Sequence, residues 1–152
     1  MTREELIVTA RTLRQPGGQA ASEFEQKMGH IAEELSRNLK ERDDLERLIG
    51  EGNAAMMEDN SRNFCRFMSS MFQQFQPETL VDTALWVFRA YRSHGFHLAF
   101  WPANIDTCAE IVRATLSPET TREVLPFYDW LVVNIPSFTL LSDEAPGVQG
   151  RP

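Results

Sequence analysis

The fold is decided by residues 22–49, which read SEFEQKMGHIAEELSRNLKERDDLERLI. Ser22 and Glu25 have the spacing of a capping box, in which each side chain bonds the backbone N–H of the other residue, so a helix is expected to begin here. From Phe24 to Leu39, apolar side chains recur every three or four residues, as on one face of a helix, and the pattern resumes at Leu45. They are Phe24, Met28, Ile31, Leu35, Leu39, Leu45, Leu48 and Ile49.

A single helix over 22–49 would have roughly 28 residues and a length of about 42 Å. A domain of this size is only about 30 Å wide. Part of the helix is therefore expected to protrude or to pack on a second copy of the chain, which predicts a homodimer. A ligand or partner is expected to act by shifting the packing of this helix on the next two.

The rest of the chain also has helical spacing, and alternating runs of β-branched residues are nearly absent. Thr2 and Glu5 repeat the capping-box spacing, and Asn104 is expected to cap the fourth main helix. Pro126 and Pro136 are expected to kink or divide the last helical segment. The other predicted helices are 2–14, 54–75, 76–94, 104–116 and 118–142. The sequence predicts an all-α fold of five to six helices, with the helix over 76–94 at its centre.

Three segments are expected along the chain. Residues 1–18 form an N-terminal helix and a turn, because QPGG (15–18) breaks the helical pattern. Residues 19–142 form a helical core domain. Residues 143–152 have the composition of a tail or linker.

Composition and charge exclude several classes of protein. The net charge of −7 disfavours nucleic acid and anionic lipid as partners, because both attract clustered Lys and Arg. The N-terminal MTREELIVTARTL (1–13) carries charges where a signal peptide needs an apolar core. No apolar run reaches the length of a membrane span. Cys65 and Cys108 lie in helical patterns and are expected to be buried thiols, so we expect a cytoplasmic protein.

The stretch YRSHGFHLAFW (91–101) has two interpretations. In the first, Gly95 ends a helix in a Schellman motif, Phe96 folds back on Tyr91, and His94 lies near the negative end of the helix dipole. In the second, His97 or His94 binds haem or cobalamin, or the two share a metal. No third metal ligand is evident nearby, so no metal site is predicted. The favoured prediction is a helix corner without a cofactor.

The Met- and Phe-rich stretch MMEDNSRNFCRFMSSMFQQF (56–75) is typical of a hydrophobic core. It also suits an adaptable pocket for an apolar ligand, because methionine is flexible and polarizable. The residues predicted to line such a pocket are Met57, Asn60, Phe64, Met68, Phe96 and Trp101.

Trp86 and Arg89 fall on the polar side of their predicted helix, and Trp130 lies off the apolar face of its own. Large aromatics and Arg on an outer face are common anchors of protein interfaces. These three residues are therefore predicted to bind a protein partner. The alternative is that another helix of the same chain covers them.

Motifs of catalysis are missing from the sequence: it has no Gly-rich phosphate loop, no G-x-S-x-G and no H-E-x-x-H. An enzyme is therefore not expected. The hypothesis is a dimeric, non-catalytic sensory or regulatory module that binds a protein partner or a small apolar ligand and acts on a partner or a downstream domain. The alternatives are a haem- or cobalamin-binding sensor and a small helical enzyme that uses His97.

In helix number, length, the corner FQQFQPETL (72–80) and the terminal linker, the chain resembles globin-like sensory domains of bacterial signalling proteins, including the non-haem kind. The resemblance implies a globin-like bundle and a dimeric regulatory module. The histidine that binds haem in such domains has no clear counterpart here.

Overall fold

Eight α-helices form the described part of the chain, residues 1–144 of a computed structural model, and no strand occurs there. The all-α prediction is confirmed, but five to six helices is too few. The helices are α1 (Arg3–Ala10), α2 (Gly18–Lys40), α3 (Leu45–Ile49), α4 (Ala54–Gln73), α5 (Pro77–Ser93), α6 (Phe100–Thr115), α7 (Pro118–Val133) and α8 (Ile135–Glu144).

The predicted helix over 22–49 is wrong at both ends. It begins earlier, at Gly18, so Ser22 lies inside α2 and forms no cap. It also breaks after Lys40, where the Arg42 guanidinium donates two hydrogen bonds to the carboxylate of Asp44. Residues two apart do not face each other on a helix, so this pairing needs a turn. At 23 residues, α2 is about 35 Å long, and the argument from length for a second copy is lost.

Other boundaries follow local chemistry. The capping box of Thr2 and Glu5 is confirmed, with both reciprocal hydrogen bonds present. The predicted cap at Asn104 is wrong, because α6 begins four residues earlier and buries Asn104 within it. Pro102 is tolerated there because backbone N–H groups of a first turn have no partner within the helix.

The last helical segment divides in two at Asn134, two residues before Pro136, so the predicted division is confirmed, whereas Pro126 does not interrupt α7. α7 continues through Pro126 and ends where the Asn134 side chain donates to the Trp130 carbonyl oxygen, 2.8 Å away. α8 then starts at a bend of 49° and includes Asp143 and Glu144. The remainder of the predicted tail, 145–152, lies outside the described residues.

The core forms where α2 packs on α4 and α6, and α6 packs on α7. α5 packs on α1 and α8 instead, so it is a peripheral helix and not the predicted central one. Edge-to-face aromatic contacts join the layers, with the Phe72 ring 4.9 Å from Phe24 and 5.2 Å from Phe127 between centroids.

Among residues 1–144, no single helix is long and apolar enough to cross a membrane. α7 and α8 together reach that length and composition, across the 49° bend.

Candidate ligand-binding site

The stretch 91–101 is the predicted helix corner. Gly95 has a φ of 101°, and its N–H donates to the carbonyl of Arg92 at 3.0 Å. The N–H of Phe96 donates to the carbonyl of Tyr91 at 3.1 Å, and the two rings meet edge to face at 5.0 Å. These two hydrogen bonds and the apolar contact define a Schellman motif, so the prediction is confirmed.

Both histidines of this corner are exposed, and a ring nitrogen of each contacts a nearby backbone group. The Nδ1 of His94 lies 2.9 Å from the Ala90 carbonyl oxygen, and the Nδ1 of His97 accepts from the Ala99 N–H at 2.9 Å. Across residues 1–144, no three His, Cys, Asp or Glu side chains are placed to share a metal ion. Binding of haem or cobalamin by His97 or His94 stays a prediction.

An apolar cavity of about 310 Å³ lies between α4, α5 and α6, and one residue of α7 completes its wall. It is partly open to solvent, and its exposed lining residues are Asn63 of α4 and Trp86 of α5, which is 39% exposed. Neither histidine of the corner is among the described residues that line it. These are Asn60, Asn63, Phe64, Phe67, Met68, Leu80, Thr83, Ala84, Trp86, Val87, Phe88, Tyr91, Trp101, Asn104, Ile105 and Leu131.

Four of the six predicted pocket residues meet in this cavity: Asn60, Phe64, Met68 and Trp101. The other two do not. Met57 is fully buried one turn before Asn60 on α4, and Phe96 packs between Tyr91 and Phe100. Both belong to the core, since the Schellman motif directs Phe96 onto its own helix.

Two of the residues that line the cavity are buried asparagines, and each has one buried amide atom without a partner. Asn60 on α4 is 4% exposed and Asn104 on α6 is 1% exposed. Among residues 1–144, neither the Nδ2 of Asn60 nor the Oδ1 of Asn104 has a hydrogen-bond partner. A buried polar group without a partner costs about 1–3 kcal/mol, so such atoms are uncommon in a folded protein.

A buried cluster of two thiols and a phenol lies behind this wall. Hydrogen bonding with Cys65 and burial raise the pKa of the Cys108 thiol well above its usual value. Burial also raises the pKa of Tyr128 well above its usual value. The Cys108 thiol and the Tyr128 phenol therefore remain protonated near neutral pH. Both cysteines are free and buried, as predicted.

The predicted interface residues divide into two groups. Trp86 stays partly exposed at the cavity mouth. Trp130 is buried, and its indole N–H donates to the Thr9 hydroxyl of α1 at 3.0 Å. The Arg89 Nε donates to the Ser142 carbonyl of α8 at 3.4 Å. For Trp130 and Arg89 the alternative holds: helices of the same chain cover them.

A second groove, of about 580 Å³, runs along α2 and α4. Its walls carry charges of both signs, and Lys40 and Glu58 form an ion pair across it. Charged side chains line this groove, whereas the α4–α6 cavity has none among its described lining residues and includes the two asparagines with unpaired atoms.

The α5 side of the cavity, Thr83, Ala84 and Val87, was not predicted, because the apolar pattern of α5 indicated a buried helix. Asn104 was missed because an Asn shortly after a Pro is typical of a cap. The sequence did contain an indication that Asn104 is buried. The helical spacing of Ile105, Cys108 and Val112 defines an apolar face, and Asn104 lies beside it.

Comparison with known proteins identifies no relative of this chain. The chain matches no protein family model. No curated protein matches it significantly, and no solved structure does.

Proposed function

We propose that this chain is a non-catalytic regulatory module that binds a small apolar ligand in the α4–α6 cavity. The observation that carries the proposal is that two asparagines with unpaired, buried amide atoms lie in a mostly apolar wall. Binding sites typically combine an apolar lining with a few polar groups that orient the ligand. A cavity of about 310 Å³ is at the small end of such sites, and twice the size of an engineered cavity of about 150 Å³ that binds benzene.

A binding role suits the reactive groups near the cavity better than catalysis does. The thiol of Cys108 and the phenol of Tyr128 have raised pKa values. A protonated thiol is a poor nucleophile, and a protonated phenol is a poor base.

The regulatory part of the proposal uses α5, which lies between the cavity and α8. Phe88 lines the cavity, stacks on Trp101 at 4.9 Å and meets Phe138 of α8 at 5.4 Å. On the same helix, Arg92 donates to the Asp143 carboxylate at 2.6 Å and to the Thr139 carbonyl at 3.2 Å. A ligand that fixes Phe88 therefore changes how firmly α8 packs on α5. This holds provided that the ligand binds unequally to the protein with α8 docked and to the protein with α8 released.

α8 is thus the proposed output element toward a partner or a downstream domain. The homodimer stays a prediction, and its remaining basis is exposed apolar side chains. Val8, Val133 and Leu140 are each at least 60% exposed. Light scattering on the purified protein measures the oligomeric state directly.

The test of the function is a titration with p-xylene, followed by NMR of the methyl groups of Met68 and Leu131. The Ala84→Phe variant fills the cavity from α5 and is expected to abolish binding. The matched control is Ala114→Phe, at an exposed position of α6 outside the cavity wall, which should bind as the wild type does.

Saturable shifts of these methyl groups in wild type and Ala114→Phe, but not in Ala84→Phe, support the proposal. No saturable shift in the wild type, or equal binding by all three proteins, would overturn it.

A further inference from the structure

Resting on the proposed function, we infer that the ligand is an uncharged amphiphile whose head group both donates and accepts a hydrogen bond. A hydroxyl or a primary amide on an apolar body small enough for a cavity of about 310 Å³ meets this description.

The wall has no charged side chain among the described residues. Its polar residues are Asn60, Asn63, Thr83 and Asn104, and Tyr91, Trp86 and Trp101 add a hydroxyl and two indole N–H groups. An ionised carboxylate or ammonium group needs an opposite charge or several hydrogen bonds once it leaves water. Asn63 is exposed and already accepts from Arg66 at 2.6 Å. A charged head group is therefore disfavoured at the buried end of the cavity.

The two buried amides present complementary unpaired atoms. The Nδ2 of Asn60 is a donor, and the Oδ1 of Asn104 is an acceptor. A ligand that accepts from one amide and donates to the other removes both costs. A hydroxyl and a primary amide each carry both a donor and an acceptor. Since each asparagine amide has both a donor and an acceptor, such heads fit either orientation of the amides.

A purely apolar molecule fills the same cavity but leaves both amides unpaired. A head group that only accepts satisfies one of them. Each missing hydrogen bond is expected to lower the affinity about tenfold. The cavity should therefore rank ligands by head group at constant chain length.

The experiment compares seven-carbon probes by calorimetry: 1-heptanol, heptanamide, 2-heptanone, heptanoate and heptylammonium. We expect the alcohol and the amide to bind at least tenfold more tightly than the ketone, and both ions to bind more weakly than the ketone. In Asn60→Leu and Asn104→Leu, we expect the alcohol to bind no more tightly than the ketone.

The same two variants have a second readout. Leucine has nearly the shape of asparagine, so replacing an unpaired amide should raise the unfolding temperature by about 2–4 °C. The matched control is Asn134→Leu, because the buried amide of Asn134 already donates to the Trp130 carbonyl. That variant should lose stability and leave the ranking of the probes unchanged. Should a variant fail to fold, the side-chain amide NMR signals of Asn60 and Asn104 in the wild type must move when 1-heptanol is added.

The outcomes separate the two proposals. If neither p-xylene nor any seven-carbon probe binds, the proposed function fails. If the probes bind with equal affinity whatever the head group, the cavity is a binding site but this inference is wrong. If both leucine variants lose stability and the ranking is flat, water or a mutual hydrogen bond satisfies the amides, and the inference is overturned as well.

Discussion

Phe88 and Phe138 meet edge to face, with ring centroids 5.4 Å apart and planes inclined at 65°. This contact joins the wall of the apolar cavity to α8, because Phe88 lines the cavity and Phe138 is a fully buried residue of α8. The proposed regulation depends on it.

Phe138→Leu should uncouple α8 from the cavity. The smaller side chain loses the contact with Phe88 and weakens the docking of α8 by about 1–2 kcal/mol. We expect p-xylene to slow hydrogen exchange in α8 of the wild type but not of this variant, while its affinity is unchanged. Leu140→Ala, at an exposed site on the same helix, is the control. Equal protection of α8 by p-xylene in Phe138→Leu would show that this contact does not couple the two sites.

Glu23 of α2 caps the start of α7 from outside that helix. Its carboxylate accepts from the Thr120 hydroxyl at 2.6 Å and from the Ser117 N–H at 2.8 Å. These hydrogen bonds, with the hydrogen bond from Thr120 the largest cause, lower the pKa of Glu23 to about 2. A carboxylate with a lowered folded pKa stabilises the fold above its unfolded pKa, and this contribution is lost as the pH falls.

The expected consequence is a decrease in stability between pH about 4.5 and about 2, part of which belongs to Glu23. Glu23→Gln should lose about 2 kcal/mol at pH 7 and show a flatter acid profile, as measured by urea unfolding at several pH values. Glu25→Gln, at an exposed position on the same helix, is the control. A profile of Glu23→Gln parallel to that of the wild type would refute the capping role.

Gly95 is required at the helix corner by its φ of 101°. Gly95→Ala should cost about 1–2 kcal/mol, because a side chain at positive φ meets its own backbone. Gly29→Ala gives the opposite expectation, since Gly29 lies inside α2 with open space around a new Cβ. There alanine should add about 0.5–1 kcal/mol. Urea unfolding of both variants measures these changes in the free energy of unfolding. Equal changes in the two variants would contradict the Schellman motif at Gly95.

Adding haem or cobalamin should leave the visible spectrum of the ligands unchanged. His94 and His97 are exposed and contact the backbone of the corner, outside the apolar cavity. Absorption spectra of the wild type and His97→Ala test this expectation. A shifted Soret band that disappears in His97→Ala would instead support the cofactor-binding alternative.

Local signals in the sequence predicted local structure well. The capping box of Thr2 and the ending at Gly95 depend on residues a few positions apart, and both are confirmed. The break between α2 and α3 was missed because the apolar spacing resumes at Leu45 beyond it. The pairing of Arg42 with Asp44 that bends the chain is invisible to hydrophobic periodicity.

The site was predicted only in part, because a cavity is a property of packing. The Met- and Phe-rich pattern of α4 indicated Asn60, Phe64 and Met68, which do line the cavity. It did not indicate which face of α5 closes the cavity, since that depends on α5 packing on α1 and α8. The outer-face position of Trp130 was misread for the same reason, as α1 covers it.

The central claim is that the α4–α6 cavity holds a small apolar molecule, and a crystal exposed to p-xylene vapour tests it most directly. The account predicts electron density for one p-xylene bordered by Met68, Val87 and Leu131. A cavity that remains empty or filled with ordered water, while p-xylene is absent or lies elsewhere, would contradict it.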